Sequence, residues 1–165
     1  MFSTDDFLAT VELETRICKH LNDKLKGDQL TYRPAEGMRS TLELLQYLTY
    51  CGIAPARALV DGDWSGVAER ATRAKGITAA SFGDHMDAQL AELRLLIGDL
   101  TPAQLDAPAS LPWGEQSRLG KALVDTSLRF LTAYRMQLFL YAKASGSSEL
   151  STVNCWAGAD APPAG

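Results

Sequence analysis

The side chains able to do chemistry in this 165-residue chain are few and dispersed. Its two histidines, His20 and His85, fall on different predicted helices, so no two imidazoles share a helix face. His85, between Phe82 and Gln89, is expected at the border of the interior, with Asp84 and Asp87 projecting elsewhere because neighbours one and two residues away do not share a face. His20 is expected at the surface. Cys18, Cys51 and Cys155 are odd in number and share no short spacing, which removes a disulfide framework and a Cys-x-x-Cys motif; they read as small buried hydrophobes. No Ser/His/Asp or Cys/His grouping follows from spacing, no catalytic residue can be assigned, and Gly114 and Gly120 fit no phosphate loop. What remains is hydroxyls, a thiol and aromatic rings at helical steps. Cys51 lies one turn after Tyr47, and Thr126 and Ser127 lie one turn before Phe130, which precedes Tyr134 by four residues. Tyr47, Cys51, His85, Ser127, Phe130 and Tyr134 are the candidate pocket residues, a set that spacing within single helices does not by itself bring together. A buried tyrosine hydroxyl needs a partner, so a hydrogen bond between Tyr47 and Tyr134, direct or through water, is expected.

Four amphipathic helices must position these groups. The first is predicted over 4–25, with Ser3 as N-cap, Asp5 and Asp6 at the positive end of the dipole, and a stripe from Phe7 through Val11, Ile17 and Leu21 to Leu25. Ser40 and Glu43 form a Ser-x-x-Glu capping box that opens the second; Leu44, Tyr47, Leu48 and Cys51 share its inner face, and Gly52 and Pro55 end or kink it before a helical piece over 53–60. A turn follows at 61–64, and Arg70, Arg73 and Lys75 read as a solvated loop. The third helix is predicted over 79–97 with Thr78 as N-cap and Phe82, Met86, Leu90, Leu93 and Ile97 as its inward stripe, followed by one short turn at Thr101-Pro102 and a loop over 107–116. The fourth is predicted over 118–144, capped by Ser117 and stopped by Gly146, with a loop-like tail over 146–165 whose Ala/Pro/Gly end is expected to be mobile. No stretch alternates as a strand does, and no repeat is present, so the expected fold is all-α: an up-and-down four-helix bundle forming one domain over 1–165.

The segments Ser40-Thr41-Leu42-Glu43-Leu44-Leu45-Gln46-Tyr47-Leu48 and Phe130-Leu131-Thr132-Ala133-Tyr134-Arg135-Met136-Gln137-Leu138 resemble the two signature helices of the DinB/YfiT-like family. In that family the first ends in His followed by an apolar residue, and the second reads His, three residues, His-Arg-x-Gln-Leu. Arg135 and Gln137 match, and 154–160 resembles the family's Asn-x-Trp-x-Gly-x-Asp tail. The resemblance implies a four-helix bundle whose members are often nickel- or zinc-dependent, some being thiol transferases or isomerases. It places the three ligand positions on Tyr47, Phe130 and Tyr134. Phenylalanine cannot bind a metal, and a phenol with an ordinary pKa of about 10 is a poor ligand near neutrality. No metal and no cofactor are therefore expected, and Tyr47, Phe130 and Tyr134 also suit simple packing. Arg135 is expected to anchor a carboxylate or carbonyl at a helix seam, and Trp156 to fold back over the bundle.

Composition narrows the classes. A net charge of -4 and no concentrated basic patch argue against nucleic acid, and no apolar run reaches the length of a membrane span. The start is acidic where a signal peptide would be basic, so a cytoplasmic protein is expected. The leading expectation is a DinB-like bundle that has lost its metal triad and serves as a non-metal small-ligand-binding or interaction protein. The alternatives are a metal- or thiol-dependent transferase or hydrolase with a relocated site, and a structural homodimer; a homodimer is expected on architecture.

Overall fold

The computed structural model of the protein describes residues 3–162. Helix α1 (Thr4–Asp23) opens with a reciprocal box: Ser3 Oγ accepts from the Asp6 amide at 3.2 Å while Asp6 Oδ2 accepts from the Ser3 amide at 3.0 Å. It buries Phe7, Val11, Ile17, Cys18 and Leu21 and ends slightly before the expected point, passing into a 3-10 turn at Gly27–Thr31. Helix α2 (Thr41–Leu48) starts where its sequence says it must, with Ser40 Oγ accepting from the Glu43 amide at 3.2 Å and Glu43 Oε2 accepting from the Ser40 amide at 2.6 Å.

The break before α3 (Ile53–Asp61) lies at Gly52, and a side chain from another helix bridges it. Gln89 Oε1 accepts from the Gly52 and Ile53 amides at 2.9 and 3.1 Å, and its Nε2 donates to the Leu48 carbonyl at 3.0 Å. The backbone groups orphaned at a helix break are thereby satisfied inside the core. Pro55 sits in the first turn of α3, where its missing N–H is not needed.

Residues 66–74, read from sequence as loop, form α4 (Gly66–Ala74), which buries only Ala74 and is laced by Glu69–Arg73 and, to the next helix, Arg70–Glu92 ion pairs. Its apolar content is too small to announce a helix; Arg70 and Arg73 are paired rather than merely solvated. Helix α5 (Phe82–Ile97) buries the predicted stripe of Phe82, Met86, Leu90, Leu93 and Ile97 but starts three residues late, because Thr78 caps only the turn ahead of it, its Oγ1 accepting from the Ser81 amide at 3.3 Å. The Thr101-Pro102 turn is α6 (Pro102–Leu105). The expected loop over 107–116 holds a two-stranded antiparallel hairpin, β1 (Pro108–Ser110) with β2 (Gln116–Arg118), in register Ala109↔Ser117. Strands of three residues carry too few positions for alternation to be read, and Ser117 pairs in β2 instead of capping a helix.

The fourth long helix is α7 (Leu119–Leu123), a π-helical segment over Val124–Leu128, and α8 (Arg129–Ser145), halted at Gly146. The tail contains α9 (Thr152–Ala157), opened by a Ser151/Asn154 box; residues 163–165 of the predicted mobile end lie outside the described residues.

The all-α bundle expected from sequence is what forms, with the hairpin as a minor addition. Cross-bundle pairs give each helix direction. Thr4 meets Gly98 and Lys19 meets Asp87, so α1 and α5 are antiparallel; Glu14 meets Arg135 and Lys24 meets Ser147, so α1 and α8 are parallel. Tyr32 and Tyr47 meet Tyr141 and Tyr134, so α2 runs against α8, whereas Gly52 and Arg57 meet Gln89 and Glu92, so α3 runs with α5. The up-and-down path thus holds only when α4 is included as a short return leg between α3 and α5. Among the described residues no helix is long and apolar enough to cross a membrane.

Candidate functional site

Tyr47 on α2 and Tyr134 on α8 are brought together, ring centroids 4.6 Å apart and inclined at 66°. Tyr50, one turn after Tyr47, packs edge-on against it at 5.2 Å. No direct hydroxyl-to-hydroxyl bond joins Tyr47 to Tyr134: the two rings meet edge to face, a geometry favoured by the aromatic quadrupole, and among the described tyrosine hydroxyls only that of Tyr141 has a protein hydrogen bond, from Gln137 Nε2 at 2.7 Å. Above the rings lies Arg39, from the loop just ahead of the Ser40 cap. Its guanidinium carbon is 4.0 Å from the Tyr47 centroid and 5.5 Å from that of Tyr134, within cation–π range of both. Burial pushes the Tyr47 hydroxyl well above the ordinary phenol range, with Cys51 and Tyr134 adding to the shift and Arg39 opposing it; burial raises Tyr50 as well.

The other candidates separate. Cys51 is buried beside Tyr47 at the helix break, its Sγ 3.8 Å from the Leu48 carbonyl, and burial drives its thiol far up despite Arg39 nearby. A protonated, enclosed thiol is a packing group and not a nucleophile. Phe130 is half-buried against the core, one turn before Tyr134. Ser127 is fully buried and its Oγ has no partner, but it sits in the π-helical segment, whose neighbours outside its own helix are α1 and α3. A π turn takes an extra residue, so the helical count from Ser127 to Phe130 and Tyr134 does not keep one face. His85 is exposed on α5, outside the cluster, because the buried face of that helix runs through Met86 and Gln89. His20, expected at the surface, is largely buried, with its Nε2 3.0 Å from Asn154 Nδ2 and 3.7 Å from Asp160 Oδ1. Sequence spacing along α1 could not reveal the tail that covers it.

Beside Tyr47 and Tyr50 opens a cavity of about 450 Å³. Its charged lining is Arg33, Arg39, Glu43 and Lys75, with Gln46 adding an amide. Arg33, Arg39 and Lys75 come from the loop before α2 and from the end of α4. No periodicity marks such positions, and the only available signal was an arginine placed directly before a capping box.

On the opposite flank of α8, Arg135 makes the anchor expected of it. Its Nε and Nη2 donate to Glu14 Oε2 and Oε1 at 2.8 and 3.1 Å, Thr132 Oγ1 donates to Glu14 Oε1 at 3.0 Å, and Nη1 reaches Cys155 Sγ at 3.2 Å. Trp156 lies against the guanidinium at 4.7 Å. Burial disfavours this cation, but the Glu14 hydrogen bonds and charge outweigh burial and hold its pKa above the usual arginine value.

A three-imidazole divalent site does not fit these residues. Its positions carry a phenylalanine ring and two phenols, at least one held protonated, with a guanidinium already lying over them. Among the described residues no three His, Cys, Asp or Glu side chains come together in a way that could hold a metal ion.

Comparison with known proteins places the fold. No family profile matches the sequence and no curated protein matches it. Solved structures do: this all-α architecture is that of DinB-like proteins. The chain is similar to the DinB-like protein YjoA from Bacillus subtilis, with 20% identity over 87% of this chain and 94% of that one and a TM-score of 0.66. It is also similar to a putative member of the DinB family from Exiguobacterium sibiricum, with 17% identity over 93% and 99% of the two chains and a TM-score of 0.68.

Proposed function

We propose that the protein is a metal-independent small-molecule-binding bundle whose ligand occupies the cavity beside Tyr47. The observation that carries this reading is the cavity's volume of about 450 Å³ together with the tyrosines that open onto it. Ligand pockets are commonly about 300–1,000 Å³, and this one sets charged and amide groups around two tyrosine rings. Tyr47 and Tyr50 offer ring faces and hydroxyls with no protein partner among the described residues, and Gln46 offers an amide edge. The alternative of a metal- or thiol-dependent transferase or hydrolase needs a relocated site, and among the described residues no three His, Cys, Asp or Glu side chains come together to hold an ion. On the same proposal the chain acts as one cytoplasmic domain, as a homodimer, without nucleic acid; the net charge of -4 favours the last point.

Native mass spectrometry and thermal melts against a metabolite collection test the reading. A ligand that raises the melting temperature of the wild type and fails to do so in Tyr47→Ala is the expected result. No ligand at all, or one nickel or zinc per chain in protein purified without chelator, would overturn it. Light scattering tests the dimer, which a monomer at high concentration refutes.

A further inference from the structure

We infer that the ligand of this cavity carries an oxyanion, a carboxylate or a phosphate, and that Arg39 receives it; the inference rests on the cavity reading proposed above. The charge around the cavity carries the argument. Three cations line it against one carboxylate, and that carboxylate is already engaged: Glu43 Oε2 accepts from the Ser40 amide at 2.6 Å and from Arg33 Nη2 at 2.8 Å. Those bonds, the Ser40 amide first, hold Glu43 below the usual carboxylate range. Arg33 further donates to the Met38 carbonyl, so Arg33 and Glu43 cancel as a local unit.

Arg39 and Lys75 are left. Neither has a carboxylate partner among the described residues, and no protein acceptor there takes a hydrogen bond from either head group. Arg39 is held instead by the Tyr47 and Tyr134 rings. A cation–π contact positions a guanidinium without consuming any of its five N–H donors, and the guanidinium fork matches the geometry of a carboxylate or phosphate. Two carbonyls that would repel an anion are masked as well. Gln46 Nε2 donates to the carbonyls of Lys75 and Ile77 at 3.1 and 3.0 Å, covering acceptors at the end of α4. The Tyr47 and Tyr50 hydroxyls, kept protonated by burial, are further donors. The arrangement replaces the positive charge of a metal ion with a fixed guanidinium, at a point where two of the three metal-ligand positions implied by the DinB resemblance meet.

Titration calorimetry on the full chain decides it, using inorganic phosphate and succinate as probes and succinamide as the neutral control, at low and moderate salt. Either anion is expected to bind one per chain, with succinamide about tenfold weaker or worse, as expected when a charge-assisted pair is lost. Arg39→Ala should weaken the anion by about tenfold or more while Arg39→Lys, which keeps charge without the fork, retains part of the affinity. Arg39 lies on an exposed loop, and unchanged thermal unfolding of the variants confirms that they fold. Stronger phosphate binding assigns a phosphorylated ligand, and stronger succinate binding a carboxylate. Absence of binding by both anions, or affinity within about twofold of wild type in Arg39→Ala, overturns the inference. A neutral ligand that depends on Tyr47 alongside absent anion binding would overturn the oxyanion alone; absence of every ligand would remove the cavity reading with it.

Discussion

Replacing Arg135 by methionine should cost more than any other single polar substitution in the chain. The guanidinium is 1% exposed and its partner Glu14 7% exposed, so the variant leaves a carboxylate in the interior with only Thr132 beside it. Removing one member of a buried pair costs about 3–5 kcal/mol, because the remaining charge has lost its compensation. For a chain of this size each kcal/mol moves the melting temperature by about 2–4 °C, so a fall of roughly 6–20 °C is expected. The double variant Glu14→Leu/Arg135→Met removes both charges and should recover most of that loss, since well-packed apolar replacements of buried pairs are often near neutral. Urea unfolding of the wild type, both single variants and the double variant closes the cycle. The reasoning fails if Arg135→Met costs less than about 1 kcal/mol, or if the double variant is no more stable than the worse single one.

Gln89→Leu should destabilise by about 1–3 kcal/mol for each backbone group it strands at the α2–α3 break, and hydrogen exchange should quicken at the Gly52 and Ile53 amides. Gly158→Ala should loosen the tail, because Gly158 has φ +58° and a Cβ there would lie 3.1 Å from the Ile17 Cα; limited proteolysis beyond Gly146 reports it. The Tyr47 phenol is raised by burial in the folded chain, so the unfolded chain ionises first: its contribution is intact below a pH of about 10 and is lost as pH rises above that value. Urea unfolding of the wild type should therefore weaken in alkali more steeply than that of Tyr47→Phe. Finally, Tyr47→His/Phe130→His/Tyr134→His should gain nickel- or zinc-dependent thermal stability, more so when Arg39→Ala is added, because the rings at 47 and 134 already meet; no metal-dependent shift in a folded variant would refute convergence of the three positions.

What the sequence discloses and what it hides follow from the range of each signal. Ser40 and Glu43 act within one turn, so the start of α2 can be read to the residue. The inner stripe of α5 is likewise local, and both survive into the structure. Tyr47 and Tyr134 are on facing positions because the helices that carry them keep a frame resembling DinB proteins. Gln89 is different: it lies outside the apolar stripe read for its helix, and its bonds to a break 36 and 37 residues away in the chain depend on tertiary path. Ser127 misleads because the π-helical segment changes the count that spacing assumes. Arg39 and Lys75 become neighbours only because α4 returns the chain toward α2, a tertiary path that the local sequence around neither residue records.

Helix α8 carries Tyr134 and Arg135 side by side, and consecutive residues on an α-helix point about 100° apart. One therefore faces Tyr47 on α2 and the other the seam with α1 and the tail. That separation makes the bundle a mounting with an exchangeable socket. Gln46, Tyr47 and Tyr50, which line the cavity, can be swapped for a different receptor chemistry while the clamp at Glu14, Arg135 and Trp156 keeps the helices seated. A lineage, or an engineer, can then rewrite what the socket accepts without first rebuilding the frame that holds it.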